Sequence, residues 1–340
     1  MPVVNGRAGK FTKLRKLLQM IVSCEPTDTR SLVPVAVRTL PAGEHLPVDV
    51  YRRTEEGQAI LLLAKDRALR SKDIDQLLMR GVEAVYVAAD EAGRLREWFI
   101  EKIVQDESRV PAARFALLRD AMKRPFHEAF RHNSVDRIVP VCHDFGTGLT
   151  DIVRGSGVRF TDLSSAMAND ASCFTHATNV ATCSLLLATE MGTGGRRELA
   201  AIAQGALLHD FGKRLVQNKP PQERSPGGRA NRDAIREHPT RGFQALCRRA
   251  DFPWDALMMV YQHHERHDGN GYPVGLAGRE IHPWARICAI VNGFDGFRRH
   301  RSNQAPLDEN TILAQLDCET GKRFDEELMQ CWKSVVTRKR

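Results

Sequence analysis

The helical periodicity of the second part of the sequence limits the folds open to this chain more than any other feature. From about residue 92 nearly to the end, apolar residues recur at spacings of three and four, which is typical of helices with one buried face. Six segments show this pattern: GRLREWFIEKIVQDE, RFALLRDAMKRPFHEAFR, THATNVATCSLLLATEM, RRELAAIAQGALLHD, RGFQALCRRA and WDALMMVYQHHE. The sequence therefore predicts an all-α region, interrupted by a loop at NKPPQERSPGGRANRD.

The region before it has a different pattern. Between about Leu32 and Ala89 the β-branched or apolar runs VPVAVR, VDVYR, AILLLA and AVYVA alternate with turn-forming residues. One helix is predicted in SKDIDQLLMRG, with Ser71 as its N-cap and Gly81 just past its end. The predicted fold is a small N-terminal α+β module followed by an all-α helical bundle. The predicted segments are a basic stretch 1–30, the module 31–91 of unknown role, a helical connector 92–157 and the all-α domain 158–335.

Composition excludes several classes of protein. With 42% hydrophobic and 27% charged residues over 340 positions, the chain has the balance of a globular protein rather than a disordered one. No run approaches the roughly 20 apolar residues of a membrane-spanning helix. The eight cysteines are scattered without a CxxC pair, which fits a reducing compartment. We therefore predict a cytoplasmic protein without a transmembrane segment.

The net charge of +8 favours an anionic partner of some kind. Composition alone does not separate nucleic acid, an anionic membrane and a ligand that carries phosphate.

Eight of the twelve histidines lie between His176 and His300, most of them at the ends of apolar stripes. In ELAAIAQGALLHD, Asp210 shares a helical face with apolar residues one and two turns earlier, so its carboxylate is expected to point inward and to need a cation. Trp254 likewise leads one helical face toward the doublet His263 and His264. Inward imidazoles and a carboxylate from different helices are what a buried metal site in a bundle requires.

The less specific interpretation of each histidine is a satisfied core or surface residue. Neighbouring residues on a helix diverge by about 100°, so a doublet such as His263 and His264 can be one buried and one exposed residue, or can address two neighbouring ions. The joint occurrence of the HD and HH doublets with His176, His238 and Lys213 favours the ions.

Three motifs carry a family resemblance. HDFGK at 209–213, EHP at 237–239 and HHERHDGNGYP at 263–273 resemble, in this order, the HD-GYP branch of the HD metal-dependent phosphohydrolases. Members of that branch are bacterial phosphodiesterases for cyclic di-GMP. The resemblance covers roughly Thr161 to Trp332 and implies an HD-domain helical bundle there.

The resemblance also implies roles for individual residues. His176, His209 and Asp210 are expected to bind a first divalent ion, with Asn292 at the position of a further ligand. Asp210 is expected to bridge to a second ion, bound by His238, His263 and His264. The implied ions, iron or manganese, activate a water and bind the scissile phosphate. Lys213 would neutralise charge in the transition state, and Lys213, Tyr272 and Arg301 would contact the substrate.

The implied reaction is hydrolysis of cyclic di-GMP to pGpG, to GMP or to both, in bacterial signal transduction. Diguanylate cyclases with GGDEF domains are candidate partners, a homodimer is a candidate assembly, and no duplex nucleic acid is expected. Tyr272 is predicted either to stack on a guanine or to cap the core.

The sequence departs from the family at several positions. Asn292 replaces an aspartate that completes the first metal site, so that site gains no negative charge there. Ser172 stands where members with three ions have glutamate, so we expect at most two ions. The stretch RSNQ at 301–304 keeps only the first basic residue of the family's Arg-Pro-Tyr element. Asp295 is either a substitute ligand or a structural residue.

Two functions therefore compete. One is an active phosphodiesterase, which the retained histidines, Asp210 and Lys213 favour. The other is a degenerate domain that binds cyclic di-GMP or a protein partner without turnover, which Asn292 and the altered RSNQ element favour. A third option, a different HD phosphohydrolase acting on nucleotides, is disfavoured by the GYP loop.

Overall fold

A computed structural model of the chain describes residues 31–37, 40, 42–54, 56–155, 157–168, 170, 172–217, 235–299 and 307–338. The basic stretch 1–30, the loop 218–233 and Arg301 lie outside these residues. The chain divides into two compact units, one ending at Phe99 and the other beginning at Ile100. The division into four segments made from the sequence stays a prediction.

The first unit is built on a four-stranded antiparallel sheet. Its strands are β1 (Leu32–Ala36), β2 (Val50–Arg53), β3 (Ala59–Leu63) and β4 (Ala84–Ala88), in the spatial order β1-β4-β2-β3. Helix α1 (Ser71–Met79) lies between β3 and β4 in the chain, and α2 (Ala92–Gln105) follows β4. The core of this unit contains Val37, Leu46, Val48, Val50, Leu69, Val85, Val87 and Leu95. The small α+β module is thus confirmed.

The start of α1 differs from the prediction by one residue. The N-cap is Arg70 rather than Ser71, because the carboxylate of Asp73 accepts hydrogen bonds from both the backbone N–H and the guanidinium of Arg70. Gly81 has φ +74° just past the end of the helix, as predicted from the sequence.

The second unit is mostly helical. Its helices are α3 (Pro111–Arg131), α4 (Val135–Val153), α5 (Phe160–Ser164), α6 (Cys173–Glu190), α7 (Arg196–Leu208), α8 (Gly212–Gln217), α9 (His238–Leu246), α10 (Trp254–Gln262), α11 (Pro283–Arg298), α12 (Glu309–Asp317) and α13 (Glu326–Thr337). A short 3₁₀ turn, Gly278–Glu280, precedes α11. Helix α7 packs against α4, α6 and α10, and α11 packs against α6 and α10.

The centre of this unit is a close-packed apolar core. Helix α6 is buried along nearly its whole length, from Phe174 to Ala188. Phe174 stacks on Phe145 of α4 with ring centroids 5.8 Å apart and meets Phe126 of α3 edge to face at 5.2 Å. Burial of such rings is a large favourable contribution to folding. The helices that carry the candidate site are therefore held by a continuous core.

Helix α4 was not among the segments singled out from the sequence. It contains Pro140 and two glycines, which lower helix propensity. A Cβ at Gly146 would lie 3.1 Å from the backbone nitrogen of Gln204, and a Cβ at Gly148 would lie 2.7 Å from Ile100. These glycines let α4 approach its neighbours closely.

Two further predictions can be compared with the structure. No helix among the described residues has the length and apolar character to cross a lipid bilayer. Every cysteine in the described part of the chain is a free thiol.

Candidate metal centre

Six of the side chains predicted from the sequence meet at one place in the helical unit. Ligand atoms of one group, His176, His209 and Asp210, lie within 4.8 Å of one another. Those of a second group satisfy the same limit and include the same aspartate: Asp210, His238, His263 and His264. Their assignment as metal ligands stays a prediction, but the structure brings them together.

Asp210 reaches this point because α7 stops just before it. The helix ends at Leu208, two residues earlier than the apolar pattern suggested, and the N–H of Phe211 donates to the carbonyl of Leu208 at 2.9 Å. Phe211 is buried in the core and anchors the turn. The HD doublet therefore lies in a turn between α7 and α8, with both side chains directed inward.

The glycine of the HDFGK motif sets the distance to the next ligand-bearing element. A Cβ on Gly212 would lie only 1.9 Å from the carbonyl oxygen of His238 and 2.7 Å from the backbone nitrogen of Gly242. Only glycine therefore allows α8 to lie against the first turn of α9. His238, the first residue of α9, is brought within 3.2 Å of Asp210.

The HH doublet follows the end of α10. His263 caps the helix, and His264 is the next residue in the turn that follows. Both side chains face the centre and belong to the same group of ligand atoms, so the doublet matches neither predicted alternative, one exposed residue or a division between two ions. Trp254, in contrast, is 64% exposed at the start of α10, so the predicted apolar face does not extend to it.

The hydrogen bonds of the histidines fix their tautomers. The Nδ1 of His176 is 2.6 Å from Asp295 Oδ2, and three other Nδ1 atoms face the backbone carbonyls of Ala206, Ile235 and Val260 at 2.6–2.9 Å; these belong to His209, His238 and His263. Since Nδ1–H donates in each case, the lone pair is on Nε2. All four Nε2 atoms point to the centre, as ligand nitrogens do in zinc and iron sites.

Several polar atoms at the centre have no partner within the described protein. Buried His209 Nε2, His264 Nε2 and Asp210 Oδ1 form no hydrogen bond. The Nε2 atoms of His238 and His263 lie 3.1 Å apart, and with both protons on Nδ1 their lone pairs face each other. This arrangement is repulsive unless a cation lies between them. The donor set therefore fits divalent metal ions.

The two oxygens of Asp210 face different histidines. Oδ2 is 3.5 Å from the Nε2 atoms of both His176 and His209, whereas Oδ1 is 3.2 Å from His238 Nε2 and 3.7 Å from His263 Nε2. One carboxylate thus addresses both groups, which is the geometry of a bridging ligand. The ammonium of Lys213 is 2.5 Å from Oδ2.

Electrostatics keeps the carboxylate ionised and most of the imidazoles neutral. Burial raises the pKa of Asp210, but its interactions with His209, His176 and His238 outweigh burial and hold that pKa well below its usual range. Burial lowers the pKa of His263 to about 3 and likewise lowers the pKa values of His209 and His264. Neutral imidazoles with free lone pairs are metal ligands rather than cations.

His176 is the exception. Burial lowers its pKa, but in the protonated ring both N–H groups face carboxylates, those of Asp210 and Asp295, and these interactions outweigh burial and raise the pKa. Asp295, from α11, also accepts a hydrogen bond from Asn179 at 2.7 Å. With one oxygen on His176 and the other on Asn179, Asp295 orients an imidazole, which favours the structural role over that of a substitute ligand.

Comparison with known proteins agrees with this geometry. The family model described as HD domain matches residues 164–328. This segment of the chain therefore corresponds to an HD domain. The HD domain thus includes all six clustered side chains.

Two known proteins are similar in sequence to part of this chain. One is the cyclic di-GMP phosphodiesterase response regulator RpfG of Xanthomonas campestris, 30% identical over 41% of this chain and 37% of its own length. The other is a cyclic di-GMP phosphodiesterase of Pseudomonas aeruginosa, 31% identical over 65% of this chain and 53% of its own length. The chain therefore spans about a third to a half of these relatives.

A solved structure resembles the chain more widely. Bd1817, described as a HDG"Y"P protein from Bdellovibrio bacteriovorus, matches 91% of this chain and 100% of its own with a TM-score of 0.60 and 19% identity. At that identity the likeness shows the fold alone.

Two further predicted site residues are Asn292 and Arg301. Asn292 lies on α11, half-buried and three residues before Asp295, and its role as a ligand stays a prediction. Arg301 lies outside the described residues.

Sequence reasoning assigned no role to Glu265, although it belongs to the HHE motif. Its buried carboxylate accepts hydrogen bonds from the backbone N–H groups of Val274, Gly275 and Leu276 at 2.7–3.2 Å. A Cβ on Gly271 would lie 2.4 Å from the backbone nitrogen of Arg266, so this glycine is required as well. Glu265 directly follows the HH doublet, and its carboxylate therefore holds the GYP loop of the HD domain next to that doublet.

Tyr272 packs against the centre of the HD domain rather than standing free. Its ring stacks on the imidazole of His264 with centroids 4.7 Å apart and planes 15° apart. Its backbone N–H donates to the carbonyl of His264 at 3.2 Å. Burial raises the pKa of Tyr272 to about 12, so the phenol is neutral. One ring face is occupied by His264, which leaves its contact with a guanine a prediction.

Proposed function

We propose that this chain hydrolyses a phosphodiester bond of cyclic di-GMP with two divalent ions held by the HD domain. The linear dinucleotide pGpG, GMP or both would be the product. The observation that carries the proposal is the convergence of four histidine Nε2 lone pairs on the two oxygens of Asp210.

Each residue has a definite task in this proposal. His176 and His209 would hold one ion, while His238, His263 and His264 would hold the other, with Asp210 between them. Asn292 would add a neutral amide oxygen to the first ion. The bound ions would supply an activated water and stabilise charge on the phosphate. Imidazole and carboxylate donors suit iron and manganese, which we propose as the ions.

Lys213 and Asp210 are the proposed catalytic residues of the protein itself. The ammonium of Lys213 is 40% exposed and is held at the centre by Asp210, so it is placed to meet an incoming phosphate. A positive charge there stabilises negative charge that develops on the equatorial oxygens. Arg301 is proposed as a further phosphate contact and Tyr272 as a substrate contact.

The decisive experiment combines turnover with metal analysis. We expect protein loaded with manganese or ferrous iron to release pGpG or GMP from cyclic di-GMP, followed by chromatography. We expect Lys213→Met to lower kcat by about a hundredfold while the protein keeps its ions, because this side chain acts on the phosphate. Lys322→Met, which removes an exposed ammonium from another segment, is the matched control. No turnover with any of these ions in fully loaded protein would refute the proposal.

A receptor without turnover is the second candidate. Asn292 and Gln304 favour it, since each replaces a charged residue that the family uses to bind an ion or a phosphate. Ser302 and Asn303, which replace the Pro and Tyr of the same element, favour it as well. Saturable binding of cyclic di-GMP without product, and without any gain from Asn292→Asp, would support this function. A partner such as a diguanylate cyclase would then be sought by co-purification.

A further inference from the structure

Two guanidinium groups beside Tyr272 have no role in the centre described above. The guanidinium carbon of Arg236 lies 4.7 Å from the centroid of the Tyr272 ring. The guanidinium carbon of Arg323 lies 4.9 Å from the centroid of the neighbouring Phe324 ring. Its backbone is tied to the segment before the GYP loop, since the N–H of His267 donates to the carbonyl of Arg323 at 3.2 Å. One positive charge thus lies over the ring, and the segment that carries the second is hydrogen-bonded to the segment before the GYP loop.

Neither guanidinium has an anionic partner among the described residues. The acidic groups nearby in sequence are already paired, Glu237 with Arg241 at 3.1 Å, Asp325 with Arg286 at 2.6 Å and Glu319 with Arg266 at 3.4 Å. A cation–π contact holds Arg236 by its charge and uses none of its N–H groups on an oxygen acceptor. Within the described ranges, the donors of both arginines are therefore not used by a carboxylate.

The surroundings of Arg323 make an unpaired charge costly. Burial and the nearby charge of Arg266 lower the pKa of its guanidinium, and the charge of Glu319 offsets this only in part. A partly desolvated cation without a counter-ion is unfavourable, and a bound anion removes that cost. Arginine also matches the oxygens of a phosphate with two parallel hydrogen bonds.

The location of the pair indicates which anion it binds. Tyr272 stacks on His264, which belongs to the metal centre, so the two guanidinium groups lie next to the place where a phosphodiester would be cleaved. A cyclic dinucleotide carries a second phosphate that stays intact during the cleavage of the first. The RSNQ element that would meet it has a neutral residue, Gln304, in place of the family's second basic residue.

We infer that Arg236 and Arg323 bind the non-scissile phosphate of the cyclic dinucleotide, beside Tyr272. This inference rests on the proposed function, since it names the substrate contacts of the same site. It assigns the pair to substrate affinity rather than to the chemical step.

Two substrates separate affinity from chemistry. Cyclic di-GMP has two phosphates, whereas bis(4-nitrophenyl) phosphate has only the one that is cleaved. We expect Arg236→Met and Arg323→Met each to raise KM for cyclic di-GMP by about tenfold or more, the usual loss for a charge-assisted hydrogen bond. Hydrolysis of bis(4-nitrophenyl) phosphate is expected to stay at the wild-type rate. Arg241→Met and Lys322→Met remove the same charge outside the pair and are the controls.

The lysine variants distinguish charge from geometry. Arg236→Lys and Arg323→Lys keep a cation without the two-pronged donor, so we expect KM values between those of the wild type and the methionine variants. They also carry the test if a methionine variant fails to fold, as judged by its thermal unfolding. An unchanged KM for cyclic di-GMP in both positions would overturn the inference. Equal losses on both substrates would overturn it too, because the arginines would then serve the centre itself.

Failure of the proposed function gives a different result. If the wild type cleaves neither substrate, the enzyme proposal fails, and the arginine pair is tested by calorimetry through the Kd for cyclic di-GMP. A rise of about tenfold in Kd in the arginine variants, with the controls unchanged, supports the pair in a receptor as well. No change in Kd, or no binding by the wild type, overturns the inference.

Discussion

The two halves of the proposed metal centre share one carboxylate but are built differently. The first half joins Asp210 to His176 and His209, whereas the second joins it to His238, His263 and His264. The second half thus offers four protein donors and the first half three. In the second half Asp210 Oδ1 has no hydrogen-bond partner, while in the first half Oδ2 is already paired with Lys213.

The support behind the ligands also differs. Backbone carbonyls fix the imidazoles of His238 and His263, but a carboxylate, Asp295, supports His176. A carbonyl sets the tautomer, whereas a carboxylate also raises the basicity of the ring. The second half thus binds its ion through a larger number of protein donors. The first half has fewer donors and depends on the negative charge of Asp295, which is not itself a ligand. We therefore expect the second half to bind its ion more tightly.

Removal of the shared carboxylate is expected to have the largest effect, because it affects both halves. We expect Asp210→Asn to lower phosphodiesterase activity by about a thousandfold or more, since the neutral amide cannot balance two ions. Metal content, measured by mass spectrometry, should fall for both ions. Asp317→Asn, at the end of α12, is the control and should keep both. A variant that retained one tight ion would show that the halves do not depend on a common bridge.

Single histidine variants test the difference between the halves directly. We expect His263→Gln to weaken the tight ion by about a hundredfold, and His209→Gln to leave that ion bound while the weaker one is lost. Equilibrium dialysis against manganese gives both occupancies. The reverse order of affinities would contradict the asymmetry proposed here.

The carboxylate behind His176 should matter only for the first half. We expect Asp295→Asn to weaken the first ion by about tenfold to a hundredfold, within the usual range for residues that orient a ligand. The second ion should bind as in the wild type. Because Asp295 is buried, circular dichroism must show that the variant is folded, and Asn179→Asp offers a second change at the same hydrogen bond. Equal weakening of both ions would mean that Asp295 supports the whole centre.

A gain of affinity is the smallest effect expected. Asn292→Asp adds a formal charge at the position where the family has a ligand, so we expect the first ion to bind about tenfold more tightly. Manganese titration followed by electron paramagnetic resonance reports this affinity without turnover. Asn310→Asp on α12 adds the same charge elsewhere and should change nothing. No gain for Asn292→Asp would exclude this residue as a ligand of the first half.

Much of the site could be predicted because its residues are polar groups at the ends of apolar helical patterns. Asp210, His238 and the HH doublet stand out in sequence for that reason, and the structure brings them together. The details of backbone geometry could not be predicted in the same way. The HD doublet lies in a turn after α7 rather than within it, and Trp254 is exposed although it fits the apolar spacing.

Other features depend on contacts between segments far apart in sequence. The role of Glu265 depends on hydrogen bonds from loop residues 274–276 to its carboxylate, and hydrophobic periodicity does not predict such a contact. Helix α4 was not predicted because Pro140, Gly146 and Gly148 weaken its helical sequence pattern. The close packing of α4 nevertheless requires the two glycines. Close approach of backbones is thus poorly visible in a single sequence.

Gly212 illustrates what such an approach means for protein engineering. Because its α-carbon lies against the main chain of His238, the spacing between two ligand-bearing segments is set by main-chain contact, which no change of rotamer can relax. A library designed to change metal preference should therefore keep residue 212 constant and vary the donors. Any bulkier substitution there would force the segments apart before the choice of ion could be tested.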